Sequence, residues 1–218
     1  MEADWSAHLE REERRYRDGE GRLPDEADER QRQLTRLGNA AGGAGLAHLM
    51  AGEAERAAEW FDRAARRYRE SYELAPPGSW GRPIGAIKSR ILAGDWPGAE
   101  EEARWALAEG AAEAESPIGR YAGALALLTL ADYEAARPVA DSLRERDDFP
   151  QDVADALATL AAEDVLGYTY AIESVLESFE QRDEYLEDMP VADTVIVLQA
   201  LAERRKMAVE LTSELLPD

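Results

Sequence analysis

The chain has 218 residues, enough for one domain of ordinary size or two small ones with a full hydrophobic core. It contains no cysteine and only two histidines, His8 and His48, which excludes disulfides, thiol nucleophiles, cysteine-ligated metals and a three-histidine zinc site. Its 46 acidic and 25 basic residues give a net charge of −21, so we expect neither nucleic acid nor a membrane surface as a partner. No apolar run reaches the length of a membrane span and the first residues are too charged for a signal peptide, which predicts a cytoplasmic protein.

The basic residues are almost all arginine, since Lys88 and Lys206 are the only lysines. A large acidic excess with little lysine is typical of proteins from salt-loving microbes, in which carboxylates keep the surface hydrated and salt screens their repulsion. An ordinary acidic protein encoded by a GC-rich genome would have a similar composition. Both interpretations stay open on the sequence.

The chain begins with a charged segment over 1–37, predicted to be helical, and continues as a helical-repeat domain over 38–218. A glycine-rich run from Gly38 to Gly45 opens this domain. Phosphate-binding loops follow a buried strand, and a P-loop also needs a Lys-Ser or Lys-Thr pair, which is absent here. The glycines recur at helical spacing, so we expect a face on which another helix packs closely rather than a cofactor site.

Apolar residues recur at steps of three and four along the rest of the chain, and no segment alternates long enough to predict a strand. The first such stripe consists of Ala54, Ala57, Phe61, Ala64, Tyr68 and Tyr72. Further helices are predicted at 83–92, 97–110, 117–130, 133–146, 151–163, 168–187 and 190–205. The predicted fold class is all-α, with about ten helices in stacked antiparallel hairpins, either a tetratricopeptide-like α-solenoid or an irregular bundle.

Internal repetition supports the stacked arrangement. Four units begin at a small residue, at Gly52, Gly94, Ala131 and Gly167, and apolar residues follow at fixed offsets of five, nine and twelve. Gly45-x-x-His48 upstream of Ala57-x-x-x-Phe61 resembles the tetratricopeptide signature, with His48 where an aromatic residue usually lies. The resemblance implies helical hairpins and an adaptor that binds a peptide in a concave groove.

The last third resembles a second family. Residues 171–217 run from a helix with Phe179, through an acidic link, to an apolar helix ending in Ala202-Glu203-Arg204-Arg205. This order, with Gly94-Asp95-Trp96 upstream, is similar to the Immunity protein 49 family, all-helical proteins associated with polymorphic-toxin loci, and the resemblance spans about residues 40–217, more than the C-terminal two-thirds of the chain. The resemblance implies a cytoplasmic immunity protein that neutralises a toxin by occluding it, and it assigns no binding residue.

Catalytic motifs are absent from the sequence. It contains no His-Glu-x-x-His, no Gly-x-Ser-x-Gly and no Glu-x-x-His, so we assign no catalytic residue, no metal ligand and no cofactor. His48 falls on the inward side of its helix, where a hydrogen-bonded structural histidine is the simpler interpretation. We therefore expect a protein–protein interaction module rather than an enzyme, with a carboxylate-dependent hydrolase as the least favoured alternative.

A basic strip contrasts with the acidic chain: Arg63, Arg66, Arg67 and Arg69. Three pairs at i to i+4 spacing predict that the strip is neutralised within its own helix. These pairs are Glu59 with Arg63, Asp62 with Arg66, and Arg69 with Glu73. An anion-binding site is the alternative.

The stretch 147–193 is the most acidic part of the chain, with 14 acidic residues against the single Arg182. The helix predicted at 168–187 places five glutamates on one stripe: Glu173, Glu177, Glu180, Glu184 and Glu187. Such a stripe is either a docking face for a basic partner, such as a nuclease toxin, or a solvated, salt-adapted surface.

Trp80 is the second candidate for partner binding. It lies in a loop, Pro76 to Pro83, whose prolines and glycines would hold an exposed tryptophan rigidly as an anchor. In the competing interpretation, Trp80 folds back over the core.

Overall fold

The computed structural model describes residues 5–217, except for the side chain of Leu186. Within this range the chain is 74% helical and has no strand, which confirms the all-α prediction. The described helices are α1 (Trp5–Glu20), α2 (Ala27–Met50), α3 (Ala54–Leu74), α4 (Gly81–Leu92), α5 (Trp96–Ala108), α6 (Pro117–Thr129), α7 (Tyr133–Arg144), α8 (Gln151–Ala162), α9 (Val165–Glu180) and α10 (Asp193–Arg204). No helix in the described range is both long and apolar enough to cross a membrane.

The chain divides into two compact units. Among the described residues, unit 1 comprises 5–96, 184–191 and 216–217, and unit 2 comprises 97–183 and 192–215. In unit 1 each helix from α1 to α4 packs on the next. The division that the sequence suggested after residue 37 falls inside α2, and α1, α2 and α3 share one hydrophobic core.

The glycine-rich run forms part of α2 and lets α3 approach closely, as its helical spacing predicted. A Cβ atom on Gly45 would lie 2.6 Å from the ring of Phe61, and one on Gly38 would lie 2.8 Å from the ring of Tyr68. Only glycine fits at either position, because real Cβ atoms do not approach other atoms so closely. The run is therefore a packing face, and no strand precedes it in the described chain.

Unit 2 begins with α5 and continues with α6 to α9, of which each packs on the next, and α10 packs against α8 and α9. The alanine-rich helices α6 and α8 are buried along most of their length. Leu125, Leu128, Leu157 and Leu160 fill the space between the small side chains and are almost completely inaccessible to water. Small residues on facing helices and larger ones in the adjoining grooves give the close packing that stabilises such a unit.

Four helix–helix turns share one geometry. In each, one residue has a left-handed backbone, at Gly52, Gly94, Ala131 and Glu163. Its amide bonds to the carbonyl three residues earlier and the next amide bonds to the carbonyl five residues earlier, which is the Schellman motif. An acidic residue follows in every case: Glu53, Asp95, Asp132 and Asp164.

The fourth repeat therefore begins at Glu163, and its assignment to Gly167 is wrong. Gly167 lies in the first turn of α9, where its amide donates a hydrogen bond of 2.9 Å to Asp164, the N-terminal cap. A Cβ there would lie 2.8 Å from the Thr159 methyl, so this glycine is needed for packing against the cap. Counted from Glu163, the positions at offsets five, nine and twelve are Tyr168, Ile172 and Val175, all completely buried.

Candidate functional site

The solvent-facing side of α9 carries two apolar and three acidic side chains in one row: Leu166, Tyr170, Glu173, Glu177 and Glu180. We call this row the α9 stripe. Leu166 and Tyr170 are 65% and 66% exposed, and the three glutamates are exposed as well. At about 100° of rotation per residue, the five side chains fall within an arc of about 80°. Val165, 53% exposed, adjoins the stripe at its apolar end.

The opposite face of α9 holds the helix in place. Tyr168, Ile172 and Val175 are completely buried on that face, and the Tyr168 hydroxyl donates a hydrogen bond of 3.1 Å to Gln199. Burial raises the pKa of Tyr168, because the phenolate would lose its hydration. The α9 stripe is thus presented by a helix whose other face is fixed in the core of unit 2.

The acidic end of the stripe is not neutralised. Glu177 accepts a hydrogen bond from Gln181, and Glu180 accepts one of 2.7 Å from the Ser213 hydroxyl. Arg182, the single cation of the acidic stretch, lies over the Phe179 ring at 3.6 Å. In the described part of the chain, no arginine or lysine comes within ion-pair distance of the three glutamates of the stripe. Three negative charges thus remain available to an external cation.

The two other glutamates assigned to this stripe do not lie on it. The helix predicted at 168–187 begins three residues earlier and ends at Glu180, seven residues before the predicted end. Glu184 is exposed beyond the helix. Glu187 belongs to a short 3₁₀ turn, Leu186–Asp188, in unit 1.

The Glu187 carboxylate is held by hydrogen bonds within unit 1. Its carboxylate accepts hydrogen bonds from Arg15 and, at 2.9 Å, from Asn39, and its backbone carbonyl accepts one of 2.7 Å from Arg11. Desolvation alone would raise the pKa of this carboxyl, but the hydrogen bonds from Asn39 and Arg15 and the charges of Arg15 and Arg11 outweigh it, so the pKa is lowered. Glu187 therefore anchors residues 184–191 within unit 1, and it is not free to bind a partner.

Trp80 does not present its ring to solvent. It is only 9% exposed, and its ring lies 6.5 Å from the ring of Tyr72. The expectation of an exposed anchor is therefore wrong, because the turn before α4 directs the indole back onto α3, as in the competing interpretation.

His48 is buried and fully hydrogen-bonded. Its Nδ1 lies 2.6 Å from a Glu53 oxygen and its Nε2 lies 3.2 Å from a Glu13 oxygen. This arrangement joins α1, α2 and the start of α3, which is a structural role. Among the described residues, no group of three or more histidine, aspartate or glutamate side chains converges to hold a metal ion.

Leu166 and Tyr170 are the residues that sequence reasoning missed. The helix was predicted to begin at residue 168, so Leu166 was placed outside it and the shared face was not recognised. Asp164 was the available signal, since an aspartate immediately before the first apolar residue of a helix is a common N-terminal cap. Comparison of the chain with protein-family models, curated proteins and solved structures finds no match.

Proposed function

We propose that this chain is a non-catalytic binding protein and that a basic protein partner docks on the α9 stripe. The exposure of Leu166 and Tyr170 next to three unneutralised glutamates carries this proposal. Single exposed apolar residues are common on protein surfaces. Here, large apolar side chains occupy one helix face and are continuous with charge of one sign, and tyrosine is among the residues that contribute most to binding energy at interfaces.

The stripe defines the chemistry of the partner. An apolar contact would cover Leu166 and Tyr170, while a row of lysine or arginine side chains would face Glu173, Glu177 and Glu180. Opposite charges would accelerate association and fix the register, and the apolar end would supply most of the affinity. A basic nuclease domain has such a surface, because it must bind a phosphate backbone.

An immunity protein that occludes a toxin is the sharper form of the proposal, and such a protein would act in the cytoplasm. The resemblance of 171–217 to the Immunity protein 49 family supports it. A tetratricopeptide-like adaptor for a peptide is the second candidate, favoured by the Schellman turns repeated at Gly52, Gly94, Ala131 and Glu163. The neighbouring gene distinguishes them: a large modular toxin gene beside this one supports immunity, and its absence supports the adaptor.

Titration with a synthetic cationic helix tests the docking surface. The probe is a peptide with leucine on one half of a helical face and arginine at four-residue spacing on the other. We expect Tyr170→Ala and Glu177→Arg each to weaken binding of the full chain about tenfold or more in isothermal titration calorimetry. Amide chemical-shift changes on binding should centre on α9.

Two matched variants control for general effects. Ile118→Ala removes another exposed apolar side chain of unit 2, and Glu101→Arg reverses an exposed glutamate on α5. Both should bind the probe with nearly the affinity of the unmodified chain. Equal losses in Glu101→Arg and Glu177→Arg would show that net charge alone attracts the peptide, and the proposal would then be rejected.

A further inference from the structure

A cleft between α1 and α3 in unit 1 is independent of the α9 stripe. It is open to solvent on one side and has a volume of about 520 Å³, and four arginines line it: Arg17, Arg63, Arg66 and Arg67. Clefts of about 300–1,000 Å³ are typical of small-molecule sites. Four arginines around one cleft are a local exception on a chain with a net charge of −21.

The floor of the cleft is aromatic and rigid. Tyr16 and Trp60 pack edge to face with ring centroids 5.3 Å apart and an interplanar angle of 84°, and both are buried. The guanidinium of Arg67 donates a hydrogen bond of 3.0 Å to the Tyr16 hydroxyl. Both rings are therefore already fixed, and each has an arginine over one face: Arg63 over Trp60 and Arg67 over Tyr16.

Arg67 is a structural cation. It pairs with Glu20 and, at 2.8 Å, with Glu70, the two acidic residues of the lining. Burial by itself would lower the pKa of Arg67, but hydrogen bonds to Tyr16 and Glu70 outweigh it and the pKa is raised. This arginine is thus permanently charged and already neutralised, and it joins α3 to α1.

The other three arginines are available to a ligand. The Arg63 guanidinium lies 4.3 Å from the Trp60 ring centre, and among residues 5–217 no carboxylate is within ion-pair distance of it. The pair predicted between Glu59 and Arg63 therefore does not form. Arg66, 68% exposed, pairs with Asp62 at 2.8 Å.

Arg17, 66% exposed, approaches Glu13 only to 3.5 Å. Exposed pairs of this kind, like that of Arg66, contribute little to stability, so both arginines can turn to a ligand at little cost. One unpaired and two weakly paired guanidinium groups thus border the aromatic floor.

We propose that this cleft binds a small organic oxyanion, with its carboxylate or phosphate held by Arg63 together with Arg17 or Arg66. The planar fork of N–H groups on an arginine matches both oxyanions, and the apolar part of the ligand lies against the ring edges of Tyr16 and Trp60 that the arginines leave uncovered. The neutralised Arg67 keeps the two helices in register.

Calorimetric titration with defined anions tests the site. The probes are inorganic phosphate, phenyl phosphate and phthalate, added to the full chain at constant ionic strength. We expect at least one to bind with a Kd below about 10 mM, and phenyl phosphate to bind more tightly than inorganic phosphate because the floor is aromatic. A preference for phenyl phosphate over phthalate, or the reverse, identifies the oxyanion as phosphate or carboxylate.

The decisive variant is Arg63→Gln, and its control is Arg104→Gln. Arg104, 63% exposed, pairs with Glu100 on its own helix in unit 2, so both substitutions change the net charge equally. Arg63→Gln should weaken binding about tenfold, as expected for one charge-assisted contact, and Arg104→Gln should not. The absence of binding by all three probes, or equal losses in the two variants, would overturn the proposal.

Discussion

Replacing Gly45 with alanine should destabilise unit 1, although alanine is the better helix former. Gly45 lies inside α2, and a Cβ there would lie 2.6 Å from two carbons of the Phe61 ring. Phe61 is only 1% exposed, so its ring cannot move into solvent. Either the ring or the α2–α3 spacing must change.

The structure offers a matched control three residues away. A Cβ on Gly42 would meet nothing closer than the Tyr68 hydroxyl, at 4.0 Å. Gly42→Ala should therefore show the helix-propensity gain alone, about 0.5–1 kcal/mol of added stability. Gly45→Ala has the same helix-propensity gain but adds an overpacking cost of about 1–3 kcal/mol, so it should be about 1–3 kcal/mol less stable than Gly42→Ala.

Urea unfolding followed by far-ultraviolet circular dichroism measures both variants at the same salt concentration. The free energies of unfolding of the two variants can be compared if the slope of the free energy against urea concentration is the same for both. If Gly45→Ala were as stable as Gly42→Ala, the close approach of α2 and α3 would be wrong, and with it the explanation of the glycine-rich run.

Three further predictions concern charge and turn geometry. The melting temperature should rise steeply from low salt toward molar KCl if the net charge of −21 is a salt adaptation, and a flat response would contradict that interpretation. Glu187→Gln should lose about 1–3 kcal/mol of stability at neutral pH, since the charge-assisted contacts to Arg15 and Asn39 weaken, whereas the exposed Glu184→Gln should change little. The pKa of Glu187 is lowered in the folded state, so its contribution to the free energy of unfolding is present above the unfolded pKa and is lost as the pH falls through the folded pKa. The difference in the free energy of unfolding between Glu187→Gln and the unmodified chain should therefore become smaller in acid. Ala131→Gly should raise the free energy of unfolding by up to about 1 kcal/mol, because the backbone at this turn is left-handed, with a φ of 57°, which is unfavourable for alanine. An unchanged or lower free energy in urea unfolding would contradict this explanation.

The helices could be predicted because their apolar period is local. Most of the predicted helices after α3 match the structure within two residues at each end. Small and aliphatic residues at steps of three and four indicate a helix with one buried face, and this pattern can be recognised from neighbouring residues alone. The end of α9 was missed for a physical reason. Residues 181–187 are mostly polar, and a polar run can continue the exposed face of a helix or leave the helix without changing the pattern.

Contacts between distant parts of the chain could not be predicted in this way. The Arg11 side chain reaches the Glu187 carbonyl, 176 residues away, and Arg15 reaches its carboxylate. Many arginines and glutamates could pair equally well on charge alone. Only the fold brings these together, which is why Glu187 looked like a free acidic residue on the sequence.

The same argument explains the basic strip. Spacing predicts that Arg63 and Arg66 each have an acidic partner one turn earlier, yet only the pair of Arg66 with Asp62 forms. Arg63 lies instead over Trp60, because the guanidinium keeps its hydration on one side while its other side covers a large aromatic ring. Local charge pairing contributes so little energy that one neighbouring aromatic ring can decide the position of the side chain.

The two proposed sites have opposite charge, so ionic strength should distinguish their ligands. On the α9 stripe, the glutamates and the net charge of −21 attract a basic partner together, and screening weakens both, so affinity should fall steeply with salt. At the arginine-lined cleft the local attraction and the net charge of the chain have opposite effects, because Arg17, Arg63 and Arg66 attract an oxyanion that the rest of the chain repels. Screening reduces the distant repulsion more than the contact attraction, since the Debye length of about 8 Å at physiological salt exceeds a contact distance but not the width of the protein. Anion binding at the cleft should therefore depend only weakly on salt, and a steep fall would indicate diffuse attraction rather than a formed site.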